Sequence, residues 1–328
     1  MLEDSRIYGE LALVSGNGNP ELAEEISQAI GQPLLQRSIT VFPNDNTFVQ
    51  FHETVRSRDV FVIQPTCRPV NNNLMELLIL IHTARRASAG RITAVVPFFA
   101  YARSDKKDMP RVPITAKLVA DLIQTAGADR FMCVDLHAGQ IQGFFDIPGD
   151  ELTALPFLAR HIQNMHIPNL TVLSGDLGFA KKARNVAEML HAPVAFAEKR
   201  RVGTDTETLN IIGDVRGRNV LIVDDEVDGA STMAGAAAEL RTQGAAEVYA
   251  CFVHSTFSAG AVERMQQAGF TKIVTTNTEP LTAEQRLALP NLEIIHLGPW
   301  LGCVIEAVHR GQSVGETLHD YYEHCGEQ

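Results

Sequence analysis

The sequence has little that would indicate a disulfide framework or a zinc site. Its five cysteines are scattered and form no Cys-x-x-Cys pair, whereas both kinds of site need closely spaced thiols. We therefore expect buried, inert thiols in a reducing compartment. The acidic first ten residues also lack the basic and then apolar order of a signal peptide.

Long apolar runs and basic clusters are missing as well. No stretch reaches the roughly 18 apolar residues that a membrane span requires. The formal net charge is −11, and no block of like charges provides the basic face of a nucleic-acid binder. We predict a soluble, cytoplasmic protein that binds neither membranes nor nucleic acid. Local Lys and Arg residues or a divalent metal can still bind phosphates on such a chain.

Short apolar runs alternate with amphipathic segments along the whole chain, which predicts an α/β fold with parallel sheets covered on both faces. The predicted strands are Leu11–Ser15, Val60–Gln64, Ile92–Pro97, Phe131–Asp135, Leu170–Ser174, Val194–Ala197, Val220–Asp224, Val248–Val253, Lys272–Thr275 and Leu292–His296. The predicted helices are Glu21–Ile30, Asn73–Ser88, Ile114–Gln124, Phe179–Leu190, Ser231–Gln243 and Ala259–Gln267. A chain of 328 residues exceeds one hydrophobic core, so we expect two domains, the second starting near residue 155.

Unusual polar residues follow several predicted strands, where ligands bind in doubly wound sheets. The most informative segment is LIVDDEVDGAST, Leu221–Thr232, in which a strand runs into two acids, a loop of small residues and a helix. Such a loop lets backbone N–H groups approach a phosphate at a helix N-terminus. The carboxylates of Asp224 and Asp225 would repel phosphate and suit ribose hydroxyls or a cation. A solvated turn would show the same two acids, so the spacing alone leaves both interpretations open.

This segment resembles the phosphoribosyl-diphosphate loop of type I phosphoribosyltransferases and of ribose-phosphate pyrophosphokinases. Three further stretches, Pro65–Ile81, Tyr101–Ile123 and Val134–Pro148, are similar to the pyrophosphokinases in particular. The resemblance runs from about Leu13 to Ser313 in the family's order. Ordinary phosphoribosyltransferases lack these N-terminal motifs, so the pyrophosphokinase family is favoured.

The resemblance implies two tandem phosphoribosyltransferase-like domains, each a mainly parallel sheet flanked by helices. It places them at 1–154, the ATP side, and 155–310, the ribose 5-phosphate side, with 311–328 packing back on the first. The active site would lie between them and be completed by a neighbouring subunit of a homo-oligomer, built from dimers and by resemblance a hexamer. The implied reaction moves the β,γ-diphosphoryl group of Mg-ATP to the C1 hydroxyl of ribose 5-phosphate. Its products are 5-phosphoribosyl 1-diphosphate, which feeds nucleotide biosynthesis, and AMP.

The resemblance also implies an ATP site in the first half. Phe42 would lie on the purine ring with Asn44 at its edge, and Arg103 would contact the phosphates. Two positions depart from the family, since Asn46 replaces a usual glutamate and Ser104 a usual glutamine. The implied ATP-binding residues are Phe42, Asn44, Asn46, Arg103, Ser104, Asp105 and His137.

Metal binding and catalysis are implied for four residues. His137 and Asp176 match residues near Mg²⁺, which keeps waters and needs only one or two protein ligands. A lone histidine after a strand is more often structural, and the family motif favours the metal here. The segment Ala197–Glu207 is similar to a mobile catalytic loop whose Lys199 and Arg201 neutralise developing charge and exclude water. A solvated basic loop is the alternative interpretation.

In the ribose 5-phosphate site the resemblance assigns Asp224 and Asp225 to the ribose hydroxyls, with the 5-phosphate held by Asp228, Gly229, Ala230, Ser231 and Thr232. Gly229, Ala230 and Ser231 stand where the family has threonine and two glycines. Glycine at 229 removes a hydroxyl donor, and alanine at 230 is acceptable only where φ is negative. We therefore expect a weaker or reshaped phosphate pocket.

A weakened regulatory site for inorganic phosphate and ADP is a further implication. Thr54, Arg56, Lys107 and Ser313 match parts of the site that many family members have between subunits. Gly315 stands where a second serine normally donates to phosphate, so the implied site has lost one hydrogen bond.

Two other functions remain open from the sequence. One is a non-catalytic paralogue that regulates an active pyrophosphokinase, which retention of both cations and the loop acids argues against. The other is a nucleobase phosphoribosyltransferase. Outside these motifs, Trp300 is expected at a domain or subunit seam. Four histidines without a partner pattern are interpreted as surface or core residues: His161, His166, His191 and His309.

Overall fold

In the computed structural model, the described residues are 8–176, 178–202 and 206–324, without the side chains of 199–209, 323 and 324. The strands are β1 (Leu11–Ser15), β2 (Arg37–Val41), β3 (Thr47–Phe51), β4 (Asp59–Ile63), β5 (Arg91–Val96), β6 (Arg130–Val134), β7 (Gly149–Leu152), β8 (Leu170–Ser174), β9 (Val194–Val202), β10 (Thr206–Ile212), β11 (Asn219–Glu226), β12 (Val248–His254), β13 (Ile273–Thr276) and β14 (Leu292–Ile295). The α-helices are α1 (Pro20–Ile30), α2 (Val70–Arg86), α3 (Thr115–Ala126), α4 (Leu155–Asn164), α5 (Ala180–Met189), α6 (Ser231–Thr242), α7 (Ala261–Ala268), α8 (Ala283–Ala288), α9 (Gly298–Arg310) and α10 (Val314–His324), with a 3₁₀ helix at Gly139–Phe144.

The first of two compact units comprises the chain up to Leu152, residues 278–280 and the chain from His296. Its parallel sheet has the order β1-β4-β5-β6-β7, and β2 and β3 form a separate antiparallel hairpin. The strands β1 and β4 are buried at every position, as expected for a sheet covered by helices on both faces. Helix α1 begins directly after Asn19, whose Oδ1 accepts a hydrogen bond from the N–H of Leu22 at 3.1 Å.

The second unit comprises Thr153–Asn277 and Leu281–Ile295. Its sheet has the order β10-β9-β8-β11-β12-β13-β14, in which β10 alone pairs antiparallel among the described strands. Apolar residues of β8, β11 and β12 form its core with α6, where Leu240 is fully buried. The predicted α/β class is confirmed. Among the described residues, no helix is long and apolar enough to span a bilayer.

Helix α9 lies in the first unit, whereas the family resemblance implies that residues 298–310 belong to the second domain. The physical reason is its close packing on α1. A Cβ atom added at Gly298 would lie 2.2 Å from the Cβ of Glu25, and one added at Gly302 would lie 3.1 Å from that of Ala29. Trp300 on the same helix is 1% exposed.

Two histidines without a predicted partner contact acids. His309 on α9 places Nδ1 2.8 Å from Oδ2 of Asp59 on β4, and His161 on α4 places Nε2 3.2 Å from a carboxylate oxygen of Glu293. In both contacts the partners are more than 100 residues apart in the chain, so local sequence spacing could not indicate them.

Candidate active site

The predicted adenine segment lies at the tip of the β2–β3 hairpin. The backbone N–H of Phe42 donates to the carbonyl of Asn46 at 2.9 Å, and the N–H of Asp45 donates to the carbonyl of Phe42 at 2.9 Å. The Phe42 ring is 45% exposed, with its centroid 6.0 Å from that of Phe48. Asn44 Oδ1 accepts from the N–H of Asn46 at 3.3 Å, and the Asn46 side chain is exposed. The tip therefore presents an aromatic surface beside an exposed amide.

The segment with Arg103, Ser104 and Asp105 leads into helix α3. Ser104 Oγ accepts from the backbone N–H of Thr115 at 3.2 Å, so it satisfies a donor at the first residue of the helix. Asp105 is buried and accepts a hydrogen bond from Nε2 of Gln140 on the 3₁₀ helix. Of the three predicted residues only Arg103 is exposed. The structure thus pairs Ser104 with Thr115 and Asp105 with Gln140, and it places the exposed cation Arg103 directly before them.

His137 follows strand β6 in the same unit. The backbone turns at Asp135, which is buried, has φ of +40° and donates its N–H to the carbonyl of Leu152 at 2.8 Å. His137 itself is exposed. Because β6 is a parallel strand that ends at Val134, His137 lies at its carboxyl end, as predicted from the sequence.

In the second unit, neighbouring strands bring the predicted acids together. Strands β8 and β11 are parallel neighbours with Ser174 opposite Val223, so Asp176 and Asp224 follow at the same edge of the sheet. A Cβ added at Gly175 would lie 3.2 Å from Oδ2 of Asp224, and Asp176 Oδ1 accepts from the N–H of Phe179 at 2.8 Å before α5. Glycine at 175 therefore keeps the space beside Asp224 open.

The environment of Asp224 disfavours its ionised form. Burial raises the pKa of the Asp224 carboxyl well above its usual range, and repulsion by the carboxylates of Asp225 and Asp176 raises it further. The N–H of Asp225, which donates to Asp224 Oδ1 at 3.0 Å, offsets part of this rise. Because the acids repel one another, a cation or a set of hydroxyl donors at this edge would stabilise them.

The acidic edge offers few protein ligands for a magnesium ion. Within the described part of the chain, no group of three His, Cys, Asp or Glu side chains is arranged to hold a metal. Mg²⁺ usually takes one or two carboxylates and completes its shell with water and phosphate oxygens. The acidic edge that contains Asp176 is compatible with that kind of site.

The phosphate loop connects β11 to α6, and its backbone differs from the sequence-based expectation. Ala230 has φ of +59° and ψ of 2°, so the expectation of a negative φ at this position is wrong. The left-handed conformation costs an L-residue roughly 1–2 kcal/mol. The surrounding structure must impose it, because alanine does not prefer it.

Hydrogen bonds from a segment about 30 residues further along the chain hold the loop. The N–H of Ser258 donates to the carbonyl of Asp228 at 2.9 Å, and Nη1 of Arg264 on α7 donates to the carbonyl of Gly229 at 2.7 Å. Beyond the loop, Ser231 and Thr232 begin the 12-residue helix α6, whose first N–H groups have no partner within the helix. The arrangement suits an anion at the helix N-terminus.

Adding the missing hydroxyl at position 229 should strengthen sugar phosphate binding. A Cβ at Gly229 would meet only Ser258 Oγ, at an ordinary 3.7 Å, and Gly229 does not have a positive φ. We expect Gly229→Thr to lower the KM for ribose 5-phosphate by up to roughly tenfold, since one neutral hydrogen bond contributes about 0.5–1.5 kcal/mol. Steady-state kinetics with Gly229→Ala as control measure the hydroxyl itself. Equal KM values for the two variants would contradict the prediction.

The predicted catalytic segment is only partly described. Its backbone forms strand β9 up to Val202 and strand β10 from Thr206, paired antiparallel at the edge of the sheet. The expectation of a loop is therefore wrong for 197–202 and 206–207, which have extended backbone pairing. Residues 203–205 and the side chains of Lys199 and Arg201 lie outside the described residues.

The residues of the predicted regulatory site all lie in the first unit. Thr54 Oγ1 accepts from the N–H of Arg56 at 3.4 Å, and Ser313 Oγ accepts from the N–H of Glu316 at 3.3 Å in the first turn of α10. Thr54, Arg56 and Lys107 are exposed. A Cβ at Gly315 would meet only Ser313 Oγ, at 3.9 Å, so a serine would fit there.

Sequence reasoning missed Phe48, Gln140 and Arg264, each of which supports a predicted site residue. Phe48 lies near Phe42, Gln140 binds Asp105, and Arg264 binds the backbone of Gly229. Only the pairing of Phe42 with Phe48 had a local signal, namely two aromatic residues on either side of a short turn. The other two contacts join segments that are 35 residues apart in sequence.

Comparison with known proteins gives consistent results. The model of the N-terminal domain of ribose phosphate pyrophosphokinase matches residues 11–127, and that of the phosphoribosyl synthetase-associated domain matches residues 180–319. A ribose-phosphate pyrophosphokinase of Clostridium acetobutylicum is 44% identical over 94% of this chain and 98% of its own length. One from Neisseria meningitidis is 45% identical over 92% of each chain.

A solved structure has the same fold. The phosphoribosylpyrophosphate synthetase from Mycobacterium smegmatis superposes with a TM-score of 0.88 at 39% identity, covering 92% of this chain and 100% of that one. The relatives cover almost the full chain at 39–45% identity, so the resemblance proposed from the sequence is confirmed. The chain belongs to the ribose-phosphate pyrophosphokinase family.

Proposed function

We propose that this chain transfers the β,γ-diphosphoryl group of ATP to the C1 hydroxyl of ribose 5-phosphate, giving 5-phosphoribosyl 1-diphosphate and AMP for nucleotide biosynthesis. The carrying observation is the edge of the second sheet, where Asp176 and Asp224 follow adjacent strands and Asp224 leads into a loop and a helix N-terminus. Carboxylates that accept from sugar hydroxyls beside an anion site match the two ends of a sugar phosphate.

The ribose 5-phosphate would bind with its hydroxyls at Asp224 and Asp225. Its 5-phosphate would accept hydrogen bonds from the backbone N–H groups of the loop Asp228–Thr232 and from the hydroxyls of Ser231 and Thr232. This binding fixes the C1 hydroxyl as the nucleophile, so no side chain forms a covalent intermediate in the proposed reaction. The protein's main contribution is to position the reactants and to place charges, as in other phosphoryl transfers.

The nucleotide would bind to the first unit. Phe42 offers its exposed face to the purine, Asn44 and Asn46 lie beside it, and Arg103 faces the phosphates. Ser104 and Asp105 fix the segment that carries Arg103 through their hydrogen bonds to Thr115 and Gln140. Their proposed contribution to ATP binding is therefore the position of Arg103.

Mg²⁺ is the proposed cofactor, with His137 and Asp176 as its protein ligands. When bound, the ion would neutralise charge on the ATP phosphates. Lys199 and Arg201 are the proposed catalytic residues, stabilising charge between the attacking and leaving oxygens. We further propose a cytoplasmic homo-oligomer based on dimers, with a hexamer as the expected assembly.

One assay distinguishes this function from its alternatives. Protein, Mg-ATP and ribose 5-phosphate are mixed, and the products are identified by ³¹P NMR. AMP with a diphosphate on ribose C1 is expected. Release of ADP and inorganic phosphate would refute the reaction, no turnover would favour a regulatory paralogue, and activity only with a nucleobase would favour a phosphoribosyltransferase.

Base selectivity tests the role of Asn46. Its amide keeps an acceptor for the adenine amino group, lacks the charge of the family's glutamate and brings a donor for O6 of guanine. We expect ATP to be preferred, and Asn46→Glu to raise the ratio of kcat/KM for ATP over GTP by roughly three- to tenfold. Asp45→Asn is the control, because it changes the charge of the same tip without altering residue 46. An unchanged ratio in Asn46→Glu would show that residue 46 does not read the base.

Regulation by phosphate and ADP is proposed to be weak. Thr54, Arg56, Lys107 and Ser313 remain as candidate ligands, and Gly315 lacks the usual serine hydroxyl. We infer a shallow activation by inorganic phosphate and little allosteric inhibition by ADP, while ADP still competes at the ATP site. Steep phosphate activation together with ADP inhibition that excess ATP does not relieve would contradict this proposal.

A further inference from the structure

Three consecutive carbonyl groups of the phosphate loop accept hydrogen bonds from one following segment. The N–H of Phe257 donates to Val227 at 3.1 Å, the N–H of Ser258 donates to Asp228 at 2.9 Å, and Arg264 donates to Gly229 at 2.7 Å. We call the donor segment, residues 257–264, the loop clamp. Its first two bonds come from the backbone and the third comes from a side chain.

The third bond fixes the orientation of the peptide unit between Gly229 and Ala230. In a trans peptide the C=O and the next N–H point in opposite directions. Because Arg264 holds the carbonyl of Gly229, the N–H of Ala230 points away from the clamp. In the proposed function, which this inference rests on, that side of the loop receives the 5-phosphate.

The hydrogen bond from Arg264 to the carbonyl of Gly229 is more important with alanine at position 230 than it would be with glycine. Turning the peptide unit over would carry the φ of Ala230 from +59° toward the negative values that alanine prefers. The same rotation would remove the N–H of Ala230 from the phosphate side. Arg264 therefore opposes the rotation of the Gly229–Ala230 peptide. Alanine at position 230 favours this rotation, whereas glycine would not.

The positive charge of Arg264 favours phosphate binding in addition to the effect of its hydrogen bond. Among the residues that the structure describes, no carboxylate forms an ion pair with Arg264 within 4.0 Å. A guanidinium without such a partner, bound to the loop backbone, attracts a phosphate dianion through the loop.

We propose that Arg264 is a positioning residue for ribose 5-phosphate, which holds the Gly229–Ala230 peptide in its phosphate-binding orientation. It acts through the backbone of the loop and does not need to contact the sugar phosphate.

The test compares Arg264→Met with the matched control Arg241→Met. Arg241 on α6 is also exposed and also donates to a glycine carbonyl at 2.7 Å, but its acceptor, Gly269, follows the C-terminal end of α7, away from the loop. We expect Arg264→Met to raise the KM for ribose 5-phosphate roughly tenfold, with the KM for ATP within about twofold. Arg241→Met should leave both constants near the wild-type values, and Arg264→Lys should give an intermediate KM.

The double variant Arg264→Met/Ala230→Gly tests whether Arg264 acts by positioning the loop or only through its charge. If Arg264 acts by opposing the rotation at Ala230, Ala230→Gly should restore most of the affinity lost in Arg264→Met, because glycine keeps a positive φ without strain. Calorimetric titration with ribose 5-phosphate in the absence of ATP should give the same order of affinities. An unchanged KM in Arg264→Met, or an equal loss in the Ala230→Gly background, would overturn the proposal. Failure of the wild-type chain to form AMP would refute the proposed function instead, so the two results are distinguishable.

Discussion

Replacing Lys199 by alanine is expected to lower kcat by roughly 10²–10³-fold, the loss seen when one donor to a transition state is removed, about 3–4 kcal/mol. The proposed role of Lys199 is to stabilise charge that exists fully only in the transition state. The KM values for both substrates should therefore change far less than kcat. Arg201→Ala should behave in the same way.

The residue between them provides the matched control. Arg200 carries the same charge in the same strand and has no proposed catalytic role. Arg200→Ala should keep kcat within about twofold of the wild type, as for most substitutions away from a reacting centre. Steady-state kinetics with each substrate varied in turn measure the difference. A rise in KM with an unchanged kcat in Lys199→Ala would show that the segment only captures substrate.

Asp59→Asn is expected to reduce the free energy of unfolding by about 3–5 kcal/mol, since it breaks a buried ion pair and leaves a cation without its partner. Asp59 is 0% exposed, and its two oxygens accept from Nε and Nη2 of Arg91 at 2.8 Å and 2.6 Å. His309 contacts the same carboxylate at 2.8 Å, and Arg91 also donates to the carbonyl of Val308 at 3.0 Å. The carboxylate thus joins β4 and β5 to helix α9.

Urea unfolding followed by circular dichroism measures this loss. Asp121→Asn is the control, because Asp121 pairs with Lys117 on the exposed face of α3, where both side chains are more than two-fifths exposed. Such a surface pair contributes only about 0.3–0.5 kcal/mol. A loss below about 1 kcal/mol in Asp59→Asn would mean that neighbouring groups compensate for the missing charge.

Local pattern predicted the buried strands well and the exposed ones poorly. Strands β1 and β8 have the predicted bounds, since their apolar runs end at polar or glycine residues. The hairpin β2–β3 was not predicted, because its residues, apart from the buried Val49, are only partly buried or exposed and form no continuous apolar run. Helix α9 was missed because its Gly298, Pro299 and Gly302 resemble helix breakers. In the structure the proline lies in the first turn, and the glycines allow close contact with α1.

Motif order predicts candidate site residues, but it does not predict the contacts that support them. Motif order alone led to Asp176, Asp224 and Arg103. The left-handed backbone of Ala230 contradicts the conformational preference of alanine, because contacts with a segment about 30 residues further along determine it. The same limit applies to Ser104, whose hydroxyl binds a helix that begins 11 residues later.

The first compact unit is assembled from separated stretches of the chain, with α9 packed on α1. During synthesis, residues up to Leu152 leave the ribosome long before Gly298, so the face of α1 that Gly298 and Gly302 contact stays uncovered until residues 298–302 have been synthesised. The first unit can therefore be completed only after most of the second unit, which is contiguous apart from its last segment, has been synthesised. For the same reason, no single cut in the chain can release the first unit with the contact between α1 and α9 intact.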